Sequence, residues 1–111
     1  MNKVTRKALE ESIAHWRRMR EFKLEDYRSP PEYPGMRDCA LCQLFHDEAC
    51  LGCPVSEHTG HLYCHHTPFY TANDAFCHAV DEPSLFTKAA WRRAAKREIE
   101  FLESLLEEAD K

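Results

Sequence analysis

Five of the six cysteines fall in one stretch, as Cys39-Ala-Leu-Cys42, Cys50-Leu-Gly-Cys53 and a later Cys64. Two residues between cysteines let the backbone turn so that both sulfurs face one ion while nearby amides hydrogen-bond to them. Two such pairs in a short region are a strong metal signal. Gly52, ahead of Cys53, suits a tight turn because glycine accepts left-handed backbone angles. Zinc takes four ligands tetrahedrally, and a set closed by four cysteines is structural rather than catalytic. The expectation is one structural Zn2+ per chain, held by four of Cys39, Cys42, Cys50, Cys53 and Cys64. Either Cys50 or Cys64 completes a set with Cys39, Cys42 and Cys53; Cys64 is slightly preferred because it ties down more chain.

Other chemistries fit less well. Cys53-Pro54 has the cysteine–proline step of ferredoxin-type runs, but the dense ferredoxin spacing is missing, so zinc is preferred to an iron–sulfur cluster. His58, His61, His65 and His66 crowd the same loop and could replace one thiolate. With enough thiols present, they read as solvated loop residues. Cys77 lies among Ala75, Phe76, Ala79 and Val80, and reads as a buried thiol outside the set. His65-His66, Asn73 and His78 carry the letters of an HNH-type nuclease, yet Thr67-Pro68-Phe69-Tyr70 leaves no room for the hairpin that motif needs. The C-x2-C pairs lack a βαβ frame for redox work, and no H-E-x-x-H, phosphate loop or G-x-S-x-G occurs. No enzyme is expected.

The elements that must position these cysteines follow from periodicity. Leu9, Ile13, Trp16 and Met19 recur at helical spacing, predicting an amphipathic helix from Lys3 to Tyr27 that stops before Pro30-Pro31. Residues 29–69 are irregular, holding most of the prolines and all three glycines, with room for a short helix from Leu41 to Glu48. A second short helix is predicted from Tyr70 to Val80, with Thr71 or Asn73 near its N-terminus. The strongest helix runs from Pro83 to Ala109, with Trp91, Ala95, Ile99, Leu102 and Leu106 on one line and Phe86, Ala90, Ala94, Phe101 and Leu105 widening the apolar face. The predicted fold is all-α. Two long antiparallel helices pack through Ile13, Trp16, Trp91, Ile99 and Leu102, and the zinc-stapled loop crosses one end.

A chain of 111 residues, 43% hydrophobic and 31% charged, fits a single domain. The middle is too poor in apolar residues to order itself, and small domains in that position recruit a metal, disulfides or a partner. No stretch approaches the ~18 apolar residues of a membrane span, and no apolar segment follows the basic N-terminus as a signal peptide requires. A reducing compartment then makes disulfides a poor use for the cysteines. Net charge is −4, unevenly spread: residues 1–28 are basic, 29–87 hold only Arg37 against eight acids, and 88–111 balance. So acidic a centre argues against the cysteine region gripping phosphate. Lys88, Arg92, Arg93, Lys96 and Arg97 form a basic stripe on the last helix that could track nucleic acid. A solvated face paired with Glu98, Glu100 and Glu103 is the preferred reading.

Ala8-Leu9-Glu10-Glu11-Ser12-Ile13-Ala14-His15-Trp16, Cys39-x2-Cys42, Cys50-Leu-Gly-Cys53-Pro54-Val55, Gly60, Cys64 and Thr67-Pro68-Phe69 occur in one order. That order resembles a group of small cysteine-rich bacteriophage and prophage proteins, over most of the chain from Ala8 onward. The resemblance implies the five cysteines through Cys64 but not Cys77, and a bacterial cytoplasmic setting; it implies no activity. The expected role is a protein-interaction or host-modulating factor whose acidic centre faces a basic partner. A nucleic-acid-binding accessory protein is the alternative.

Overall fold

The computed structural model describes residues 1–45, 47, 50–61, 64 and 66–109. Leu9, Ile13, Trp16 and Met19 are all buried along one side of helix α1, Lys3–Arg20. The Asn2 side chain caps α1 by accepting from the Thr5 amide at 2.8 Å, which satisfies one of the donors a helix start leaves orphaned. Arg17, Arg18 and Arg20 lie in the last turn, where cations complement the exposed carbonyls.

The helix ends at Arg20, short of Tyr27. The Glu21 and Phe22 amides bond back to Arg18 and Met19, and a 3-10 turn follows at Leu24–Arg28. The Asp26 carboxylate starts that turn by accepting from the Lys23 amide at 2.7 Å. The break has a packing cause. Phe22 and Tyr27 both meet Phe76, with ring centroids 6.5 and 6.2 Å away. Five positions along an unbroken helix are turned by ~140°, so a continuous helix could not present both rings to one partner.

Helix α2 spans Ala40–Phe45 and helix α3 spans Pro54–Thr59. The first corresponds to the helix predicted from Leu41, whose further residues His46 and Glu48 lie outside the described residues. The second was not expected, although Pro54 opens it and Gly60 closes it in left-handed geometry at φ 73°, the asymmetry that marks helix ends. Helix α4, Phe69–Asp81, is the helix predicted over 70–80, one residue longer at each end. It buries Ala72, Phe76 and Ala79. Cys77 turns to the opposite side and is exposed, which corrects the expectation of a buried thiol.

Helix α5, Leu85–Ala109, begins after Pro83 rather than at it. Ser84 Oγ accepts from the Thr87 amide and Thr87 Oγ1 accepts from the Ser84 amide, each at 3.0 Å, a reciprocal cap. Trp91, Ala94, Ala95, Ile99, Leu102 and Leu105 are buried as the pattern required. Phe86 is not: it is 79% exposed and its neighbour Leu85 76%. Both stand in the first turn, beyond the end of α1, where nothing is left to cover them.

The two long helices run antiparallel. Trp91 Nε1–H donates to the Met19 carbonyl at 3.2 Å, and Arg20 Nε–H donates to the Arg92 carbonyl at 3.1 Å. Further back along α1, Arg17 pairs with Glu103 at 3.1 Å. Helix α4 lies against α5 on the other side, and the rings lock the three together: Trp16–Trp91 at 5.8 Å and Phe76–Trp91 at 4.9 Å between centroids. Among the described residues there is no strand, and no helix is long and apolar enough to cross a membrane. The architecture is all-α, with the cysteine segment crossing between α1 and α4.

Candidate metal centre

Each cysteine of the central segment sits at a backbone feature that aims it inward. Cys39 immediately precedes α2, with the Gln43 amide bonded to its carbonyl at 3.0 Å and the Cys42 amide 3.4 Å from its sulfur. Cys42 lies within α2. Cys50 and Cys53 bracket a tight turn closed by the Cys53 amide on the Cys50 carbonyl at 3.1 Å. Gly52 is the third residue of that turn at φ 90°, the angle for which glycine was expected there. A Cβ on Gly52 would also sit 3.2 Å from the Phe45 ring. Cys53 then forms the N-cap of α3. Cys64 is tied to the start of α4, because Thr67 Oγ1 donates to its carbonyl at 2.7 Å and accepts from the Phe69 amide at 3.2 Å.

All five side chains line one cavity of ≈ 240 Å³, together with Ser12 and Trp16 of α1, Phe69 of α4, and Glu98 and Leu102 of α5. The cavity takes in Cys50 and Cys64 alike and so does not choose between the two predicted sets. As placed, no group of three or more His, Cys, Asp or Glu among the described residues is assembled in a form that could hold a metal ion. The thiols share a cavity without standing at ligand spacing. All six cysteines are thiols rather than disulfides.

Backbone strain is concentrated here. Cys50, Cys64 and His66 adopt φ of 66°, 62° and 62°, in the left-handed region that side chains disfavour. Such residues cost about 1–3 kcal/mol each and gather where other interactions over-determine the local structure.

The thiols also influence one another. A hydrogen bond from the Cys42 thiol holds Cys39 below the ordinary thiol range against the opposing effect of burial, and the same bond raises Cys42. The two therefore titrate as a pair. Burial pushes Cys53 up, partly offset by the Ser56 and Val55 amides. Burial, followed by the charges of Cys39 and Glu98, pushes Cys64 up to about 12. Protons must leave these thiols for an ion to bind, so affinity rises with pH.

The remaining sequence candidates lie elsewhere. None of the described histidines lines the cavity. His58 pairs with Glu108 at 3.3 Å and meets the Phe101 ring edge-on, while the His61 and His66 rings lie tilted against each other with centroids 4.2 Å apart. His65 lies outside the described residues. Asn73 and His78 share helix α4 and do not line the cavity. In the basic stripe, Arg92 meets Glu21 at 3.6 Å and Lys96 meets Glu100 at 4.0 Å, whereas Glu103 pairs with Arg17 of α1. Glu98, expected as a surface partner of that stripe, points inward at 3% exposure. Its burial was legible, because position 98 lies in helical phase with Trp91, Ala95 and Leu102.

The segment is anchored from its N-terminal side as well. Arg18 Nε and Nη2 donate to the two oxygens of Glu32 at 2.9 and 2.7 Å. The buried His15 places Nδ1 2.7 Å from Glu32 Oε1 and Nε2 3.1 Å from the Tyr33 carbonyl. Arg18 above all, with His15, holds the Glu32 carboxyl down at about 2. Comparison with protein-family models, with curated proteins and with solved structures found no match for the chain.

Proposed function

We propose that this is a small metal-binding protein in which Cys39–Cys64 folds around one structural zinc ion, held by thiolates drawn from Cys39, Cys42, Cys50, Cys53 and Cys64. The observation that carries the reading is the convergence of all five thiols on one cavity. The left-handed backbone at Cys50 and Cys64 adds support, as does the suitability of thiolate sulfur for zinc. The sulfurs would draw together on the ion as their protons leave, coupling metal binding to local folding.

With zinc structural, the surface carries the biological role. The role proposed is a phage- or prophage-type interaction factor in the bacterial cytoplasm that engages a basic host protein through its acidic centre. Two of the five stripe cations, Arg92 and Lys96, are already paired with acids. That favours a protein partner over the alternative of a nucleic-acid-binding accessory protein.

Elemental analysis of protein purified without added metal tests the first claim: one zinc per chain is expected, and no bound metal, or iron with visible absorbance, overturns it. Pull-down from bacterial lysate with and without nuclease tests the second. A protein partner retained after nuclease is expected, and signal carried only by nucleic acid transfers the role to the alternative.

A further inference from the structure

All five candidate thiols lie between α1 and α4 in the chain, so an ion held by them alone would tie the segment only to itself. One other metal-binding side chain reaches the cavity, and it comes from a long helix. Glu98 of α5 is 3% exposed and lines the cavity beside the thiols. Its Oε2 is buried with no hydrogen-bond partner among the described residues. The residues in phase with it on α5, from Trp91 and Ala95 to Leu102, are apolar and give it no partner. A buried carboxyl oxygen without a partner is costly, and a cation gathered by the surrounding thiols would satisfy it.

We propose that Glu98 is a direct ligand of the metal ion, completing a set of one carboxylate oxygen and three cysteine thiolates and so fastening the cysteine segment to α5. This rests on the metal-binding reading above and changes its donor set. Zinc accepts carboxylate oxygen beside thiolate sulfur, and four protein donors keep the site closed. Ser12 of α1, with Oγ 4.0 Å from Cys39 Sγ, stands where it can support that thiolate from the opposite helix.

The test is cobalt(II) bound to the metal-free full-length chain, read by X-ray absorption and by the sulfur-to-cobalt charge-transfer band. The wild-type protein is expected to show three sulfurs and one oxygen donor from protein. Glu98→Cys is expected to raise the charge-transfer intensity by about one third, as four thiolates replace three. Glu98→Gln is expected to weaken binding at least ~10–100-fold, the loss typical of removing even an outer partner of a metal site. Four sulfurs in the wild-type protein, or a band unchanged in Glu98→Cys, overturns the proposal and leaves the zinc reading standing. Failure of the wild-type chain to bind either metal overturns both. The sulfur count in the wild-type protein requires no variant to fold.

Discussion

Trp16 belongs to two regions that are built differently. Towards α5 it meets Trp91, which meets Phe76, and Tyr27 of the 3-10 turn and Phe22 just ahead of it close the cluster. Trp16 also borders the cavity walled by five thiols and a carboxyl, and packs edge-on against Phe69 at 6.1 Å. The aromatic region is held by apolar burial and ring contacts, which need nothing beyond the chain itself. The thiol-lined region has short helices, left-handed cysteines and polar groups turned inward. Under the metal-binding reading it gains order through the ion that joins those groups. A small domain can combine the two because the first supplies a rigid frame on which the second closes.

The sharpest way to break this comparison is to remove the ion proposed for the thiol cavity. Apparent zinc-binding free energies in zinc-finger peptides run ~10–16 kcal/mol, so chelation should produce the largest effect, confined to one region. Limited proteolysis after chelation should concentrate cuts between residues 36 and 67. Far-UV circular dichroism should retain the signal of α1, α4 and α5. A digestion pattern unaffected by chelator would mean that the cysteine segment orders itself.

The converse perturbation is Trp91→Ala. It deletes a fully buried ring and the hydrogen bond to the Met19 carbonyl. A loss of ~3–5 kcal/mol follows from a cavity of that kind. Trp91 does not line the thiol cavity, so the folded fraction should bind the same amount of metal. Denaturant titration measures the loss and metal analysis of the folded fraction checks the separation. Loss of stoichiometry in folded protein would show that the two regions are one.

The same division decides how much the sequence disclosed. Long apolar periodicity survives because burial enforces it: Leu9, Ile13, Trp16 and Met19, and Trp91 through Leu105, fall where their spacing put them. The departures come from tertiary packing. Ending α1 at Arg20 depends on Phe76, which is distant in sequence, and exposing Phe86 depends on where α1 runs out. Helix α3 was legible from Pro54 and Gly60 but is too short for periodicity to reveal. The five cysteines were legible as a group, since spacing alone gathers them. Glu98 was missed because a charged residue was assigned to the surface despite its helical phase.

A smaller effect probes the tether between the regions. Glu32 is held at about 2 in the folded protein, against an ordinary 4.5, mainly by the Arg18 hydrogen bonds. A depressed carboxyl contributes stability that is fully present above its unfolded value and lost as pH falls through the folded one. The loss therefore falls between about pH 4.5 and 2. Arg18 is largely exposed, so solvent screening reduces the contribution to ~1–2 kcal/mol. Glu32→Gln should remove that part of the acid transition in thermal melts, while leaving the melt near pH 7 lower by a similar amount. Equal pH dependence in both proteins would remove Glu32 as the tether.

The smallest effect belongs to the sixth cysteine, and it gives the comparison an internal control. Cys77 is exposed on α4, away from the cavity that takes the other five. Cys77→Ser should change stability by no more than ~0.5 kcal/mol, as for surface substitutions generally, and leave metal content unaltered. Alkylation followed by mass spectrometry gives the matching kinetic signature. In metal-loaded protein one thiol should react quickly and the rest slowly, and the fast one should disappear in Cys77→Ser. Chelation should then release the ligand thiols without changing the Cys77 rate, because its reactivity depends on exposure and on no ion. If Cys77 were instead protected by metal, it would belong to the site, and helix α4 would have to turn to bring it there.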